Sequence, residues 1–222
     1  MWHPGQHVAL IGPTGTGKST FAGHILQLRK WVMALDPKGG DSTLAKAGFE
    51  RCARWPPPRS VWDRIAEGKP VRLVVGPVVH TTEDRQKLIA VQRAALKGAF
   101  DGGGWTVYVD EFQLAADRRL MGLHLESETL LIAARDKGVS FVSAYQAPSW
   151  VPTAASRQAT WVVAWPTRDE AVIKRIAEIL GRPRAEIMEV FRVLPPYHVV
   201  VIGRDARAPM LITSPPPLRS AA

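Results

Sequence analysis

The sequence predicts an α/β fold in which a mostly parallel central sheet carries helices on both faces. Short β-branched apolar runs alternate with helical patterns along the chain. A glycine-rich stretch, Gly12 to Thr20, joins the first apolar run to the first helical pattern, and the run Trp105 to Val109 ends in two acids, Asp110 and Glu111. At 222 residues the chain suits one domain, expected over 1–214, with the Pro-rich 215–222 as a tail that has little to bury.

Strands are expected at 7–11, 31–35, 71–75, 105–109, 139–144, 160–164, 197–202 and 209–213, and helices at 18–29, 59–67, 83–100, 124–136, 168–180 and 183–193. Thr167 and Glu170 have capping-box spacing, Gly181 stops that helix, and Pro183 suits the first position of the next. Ile187, Met188, Phe191 and Leu194 then form an apolar stripe that reads as core, and Trp105, Trp161 and Trp165 sit in or beside apolar strands.

Twenty-nine Lys and Arg against twenty Asp and Glu leave a net charge of +9, which favours a polyanionic partner. A single cysteine, Cys52, excludes an intramolecular disulfide and a cysteine-based metal cluster. No apolar run approaches about eighteen residues, and no charged segment precedes an apolar stretch at the N-terminus. The expectation is a protein with no membrane segment that is not exported.

Gly12-Pro13-Thr14-Gly15-Thr16-Gly17-Lys18-Ser19-Thr20 fits G-x-x-x-x-G-K-[ST] at every specified position. Glycines permit the tight turn that aims successive N–H groups at phosphates, and the following helix adds the positive end of its dipole. Lys18 is expected on the β/γ-phosphates and Ser19 on Mg²⁺, with ATP the ligand. Asp110, at a strand tip, is the expected second Mg²⁺ residue, and Glu111 is placed to polarise an attacking water. Gln146, at the tip of the strand 139–144, opens onto the same sheet edge and is a candidate γ-phosphate sensor.

These elements, with Ala34-Leu35-Asp36-Pro37-Lys38-Gly39-Gly40 after the second strand and Ala134-Arg135-Asp136-Lys137-Gly138 leading to Gln146, resemble the FtsK-HerA superfamily of DNA-translocating ATPases from residue 7 to about 166. Within it the chain is most similar to the compact genome-packaging ATPases of double-stranded DNA viruses and phages. The resemblance implies a RecA-like P-loop NTPase fold and a homo-oligomeric ring, hexamer or pentamer, with ATP between subunits and double-stranded DNA in the channel. It also implies a capsid vertex or portal protein as recruiter, and residence in the host cytoplasm or at the packaging vertex. Arg135 stands where the pattern puts an arginine acting on the neighbour's γ-phosphate, with Arg118, Arg119 and Arg157 as competitors.

Asp36 and Lys38 suit contact with the nucleotide or with the adjacent subunit, although Asp-Pro-Lys-Gly is also a good turn. Lys87, Arg93, Lys97, Arg118, Arg119 and Lys137 are the DNA-contact candidates. Two other classes share parts of the pattern. Zonula-occludens-toxin-like phage assembly or export ATPases have the loop and the Asp-Glu strand, usually with a membrane span. A small-substrate phosphotransferase would clamp its acceptor with Arg135 and Arg157.

Overall fold

The computed structural model describes residues 2–40, 43–204 and 210–215. Its elements follow the chain as β1 (His7–Ile11), α1 (Lys18–Leu26), β2 (Trp31–Leu35), α2 (Thr43–Lys46), β3 (Glu50–Cys52), α3 (Arg59–Ala66), β4 (Val71–Val75), α4 (Thr82–Gly102), β5 (Thr106–Val109), α5 (Phe112–Ala116), α6 (His124–Ala133), β6 (Ser140–Tyr145), α7 (Thr153–Arg157), β7 (Ala159–Ala164), α8 (Glu170–Leu180), α9 (Arg184–Val193), β8 (Val199–Gly203) and β9 (Leu211–Thr213). The nine strands form one sheet in the order β3-β4-β2-β5-β6-β1-β7-β8-β9. Pairing is parallel from β3 through β7 and antiparallel at β7–β8 and β8–β9.

The central strands are apolar on both sides because both faces are covered. Ala9 and Ile11 of β1 join Met33, Val107 and Phe141 in one core layer, against α4, α5, α6, α8 and α9. Val8 and Leu10 join Val32, Tyr108 and Val142 in the other, against Phe21, Ala22 and Leu26 of α1 and Leu44 of α2. Leu35 pairs with Val75 and Val109, and Ile11 pairs with Tyr145 and Ala164. The residues that follow, including Gly12, Asp36, Asp110 and Gln146, therefore all leave the C-terminal edge of the parallel strands.

Several expectations shift by a residue or more. Helix 18–29 ends at Leu26, and strand 197–202 starts at Val199, after Pro195, Pro196 and the left-handed Tyr197 (φ 62°). Thr167 does not form the expected capping box. Asp169 is the N-cap of α8, its Oδ1 accepting from Ala171 N (2.9 Å) and Val172 N (3.1 Å), because a charged carboxylate at that position outcompetes a hydroxyl two residues earlier. A true capping box begins α4 instead, between Thr81 and Asp84.

Pro183 is the N-cap of α9 and not its first helical residue. The stripe on α9 is only half core: Ile187 and Phe191 are buried, but Met188 is 41% exposed. Trp105, Trp165 and Cys52 are buried and Trp161 is half-buried. The elements missing from the expected set are the short ones, β3, α2, α5 and α7. The expected tail, apart from Pro215, lies outside the described residues. Among the described residues no helix is long and apolar enough to cross a membrane.

Candidate functional site

The loop Gly12 to Gly17 is tied into the sheet at its start and opens into a helix at its end. Gly12 N donates to Tyr145 O (3.2 Å) of β6. A Cβ on Gly12 would stand 2.6 Å from the Trp165 Cβ, so only glycine fits beside that buried indole, which in turn meets the Phe21 ring edge-on at 5.6 Å. Gly17 begins α1 in the left-handed region (φ 99°) and supplies no side-chain cap, which leaves the first N–H groups of the helix for an anion. Thr16 Oγ1 donates to Pro13 O (2.8 Å) and closes the loop on itself.

Lys18 is buried, and its Nζ donates to Gly12 O and Pro13 O, each at 2.7 Å. Burial lowers its pKa, the carboxylates of Asp110 and Glu111 oppose that shift, and the charge of Lys38 adds to it. The ammonium therefore feels the charge of all three groups.

Asp110 follows β5 and is held from two sides. Tyr108 Oη donates to its Oδ1 (3.0 Å), as does Glu111 N (3.1 Å), while Ser19 Oγ donates to Oδ2 (3.2 Å). A serine hydroxyl and a carboxylate facing each other at this distance form a hard-oxygen pair suited to Mg²⁺, which takes few protein ligands when phosphate and water complete its shell. Among the described residues there is no cluster of three or more His, Cys, Asp or Glu side chains that would make a self-sufficient metal cage.

Glu111 adopts φ 44°, ψ 56° as the N-cap of α5. A non-glycine residue there costs about 1–2 kcal/mol. That conformation turns the chain sharply out of β5, so the adjacent acids diverge. Glu111 Oε1 meets Lys38 Nζ at 2.5 Å.

A cavity of about 260 Å³ brings these groups together, lined by Thr14, Gly15, Gly17, Lys18, Ser19 and Thr20 from the loop and α1, by Asp110 and Glu111, and by Gln146. Three further lining residues were absent from the sequence reading: Thr43, Gln113 and Tyr145. Gln113 lies two residues past Glu111 on α5, a helix too short to announce itself. Its Oε1 is buried without a hydrogen-bond partner among the described residues, as is Tyr145 Oη, whose pKa burial pushes up. Pro13 and Thr16 do not line the cavity; they shape the loop.

The Asp36 carboxylate does not face this cavity, which corrects the expectation of nucleotide contact. It is buried, its Oδ1 accepts from Lys38 N (3.1 Å) and Gly39 N (3.0 Å), and Arg51 pairs with it at 3.7 Å. The turn reading of Asp-Pro-Lys-Gly is the one the geometry supports, because a buried carboxylate requires donors and the turn supplies them. Lys38 is engaged by Glu111.

Arg135 is exposed and lies at the other end of the strands, near Gly5 and His7, with no reach to the cavity of its own chain. Of the other cationic candidates, Lys87 pairs with Glu83 (2.7 Å), Arg93 with Glu126 (3.2 Å), and Lys137 lies over Phe100.

On the far side of Pro13 a larger cleft of about 940 Å³ opens between Pro166, Ile173 of α8, and Met188 and Phe191 of α9, with Arg168, Glu189 and Arg192 on its walls. The stripe on α9 was the signal for it. Two stripe residues, Met188 and Phe191, line this cleft because the helix pair covers only part of its own apolar surface.

No family model matches this sequence, and no curated protein matches it. Solved structures do. The chain is similar to the genome packaging NTPase B204 from Sulfolobus turreted icosahedral virus 2, in complex with AMPPCP, at 18% identity and a TM-score of 0.61, over 96% of this chain and 100% of that one. It is equally similar to B204, the DNA-packaging ATPase from Sulfolobus turreted icosahedral virus, at 18% identity and a TM-score of 0.63 over 96% and 99%. ATPases 2 and 3 of EssC from Geobacillus thermodenitrificans align at 13% identity and a TM-score of 0.58, over 97% of this chain and 40% of that one. The chain therefore shares the α/β fold of these solved NTPases and ATPases.

Proposed function

We propose that this chain hydrolyses ATP and uses the cycle to drive double-stranded DNA, as a packaging motor moving a viral genome into its capsid. The observation that carries the reading is the convergence of Lys18, Ser19, Asp110, Glu111 and Gln146 on one cavity at the helix N-terminus. The fold likeness to proteins described as genome-packaging NTPases supports the packaging assignment, and the +9 charge suits a polyanionic cargo.

The triphosphate would lie along the loop amides, with Lys18 Nζ turning from the Gly12 and Pro13 carbonyls to the β/γ oxygens. Ser19 and Asp110 would hold Mg²⁺, which when bound neutralises charge on the β- and γ-phosphates. Glu111 accepts a proton from the attacking water, and Gln146 hydrogen-bonds both water and phosphate and so reports hydrolysis to β6. The base fits the cleft beyond Pro13, where Met188 and Phe191 offer apolar contact.

In a ring, Arg135 of one copy reaches the γ-phosphate of the next and stabilises its departing charge. Its exposure, away from the cavity of its own chain, is what a residue acting across an interface requires. Ring size, hexamer or pentamer, and recruitment to a capsid vertex or portal extend the same reading.

The test is the ATPase rate with and without duplex DNA at low and high salt. Stimulation that fades as salt rises supports the translocase. An unchanged rate with DNA, together with stimulation by a nucleoside or nucleotide acceptor, would assign a phosphotransferase instead.

A further inference from the structure

Glu111, the carboxylate that must accept a proton from water, is already bonded to a cation. Its Oε1 lies 2.5 Å from Lys38 Nζ. A carboxylate oxygen engaged by an ammonium is a poorer acceptor for a water proton.

Both partners stand on fixed backbone. Lys38 rides on the turn whose amides Asp36 binds, and the Arg85 guanidinium pins the same turn through Pro37 O (2.8 Å). Glu111 is held at the left-handed start of α5. The long side chain of Lys38 is the more solvent-exposed partner, 61% exposed against 20% for Glu111.

Glu111 and Lys18 both line the phosphate cavity, Lys38 is paired with Glu111 at its margin, and the Lys38 charge is also felt at Lys18. A terminal phosphate arriving beside Lys18 brings more negative charge, and more acceptor oxygens, than the single carboxylate that holds Lys38.

We infer that Lys38 is a positioning residue that exchanges Glu111 for the terminal phosphate of a bound nucleoside triphosphate, freeing the carboxylate for water only when three phosphates are present. The exchange swaps ion-pair partners and makes or breaks no covalent bond. Once the γ-phosphate leaves, the Lys38–Glu111 pair re-forms and the base is masked. This inference rests on the ATPase reading.

The experiment is calorimetric titration of the full chain, with Mg²⁺, using ATPγS and ADP separately. The wild type, Lys38→Met, Lys38→Arg, Glu111→Gln and the Lys38→Met/Glu111→Gln double variant are compared, each first checked for an unchanged melting profile. Lys38→Met is expected to weaken ATPγS binding about tenfold while leaving ADP binding unchanged. Lys38→Arg, which keeps the charge, should retain most of the discrimination. Glu111→Gln should tighten ATPγS binding severalfold, because Lys38 is no longer held, and the double variant should behave as Lys38→Met. Equal losses for ATPγS and ADP in Lys38→Met, or a Glu111→Gln effect that survives in the double variant, would overturn the exchange while leaving the ATPase reading intact. A wild-type chain that binds neither nucleotide would remove both.

Discussion

The two ends of the parallel strands are built on opposite principles. At the C-terminal edge, Lys18, Asp110 and Glu111 line a cavity, Lys38 pairs with Glu111, and Glu111 is held in a left-handed conformation. At the N-terminal edge polar groups are consumed internally. The His7 ring bonds Leu131 O through Nε2 (3.1 Å) and accepts from Phe141 N at Nδ1 (2.9 Å). Arg29 donates to Thr106 Oγ1 (3.1 Å) and Ser140 Oγ (2.5 Å) and lies over the Trp2 ring. One edge keeps charge available at a cost in strain, and the other spends its polar groups on holding strands together. Damage at the first should read in turnover, and at the second in stability.

Arg135 tests the division most severely, because it sits at the stable edge yet is assigned a catalytic task. Arg135→Ala should lower steady-state ATPase activity by about 10³-fold with little change in melting temperature. Mixed with Lys18→Ala, itself inactive, it should recover activity, since each copy restores what its neighbour lacks. Failure at every mixing ratio, measured by phosphate release, would assign Arg135 to the structural edge.

Glu111→Gln should retain ATP binding and lose about 10²–10⁴-fold in turnover, as single-turnover hydrolysis and nucleotide titration can check. Near-normal hydrolysis would remove Glu111 from the mechanism.

A pH titration probes the structural edge. Burial, aided by the nearby Arg135 charge and opposed by the Leu131 carbonyl, lowers the His7 pKa from 6.5 to about 4. The folded chain therefore prefers neutral His7. That contribution, about 3 kcal/mol when fully developed, is complete above the unfolded value and is lost as pH falls through the window from 6.5 to about 4. Melting temperature should fall across that window, and His7→Gln should flatten the fall.

The smallest effect joins the two edges' currencies. Gly12→Ala should cost about 1–3 kcal/mol in thermal stability, because its Cβ would press on Trp165. The same variant should weaken nucleotide binding, since the loop is displaced from the base of the cradle. A stability loss without any change in binding would separate the Trp165 contact from the cradle.

Much of this was legible in the residues. The long strands and helices announce themselves through periodicity, and the loop and the Asp110-Glu111 pair carry their chemistry within a few consecutive positions. β3 was not, because Glu50-Arg51-Cys52 is a three-residue edge strand with only its last residue buried. α5 and α7 are single turns whose helical pattern is too short to repeat. The antiparallel direction of β8 leaves no mark in a strand whose residues are apolar either way.

The sequence by itself determined the phosphate loop, the acids at the tip of β5 and the alternation that makes a covered, mostly parallel sheet, because each depends on neighbours within one turn or strand. Only the tertiary structure decided that Lys38 holds Glu111, that Asp36 turns inward to Arg51, that Trp165 backs Gly12, and that Arg135 stands away from the cavity of its own chain. Those relations follow from the strand order and from burial, which bring together residues far apart in the chain and leave a buried carboxylate no choice but to find donors.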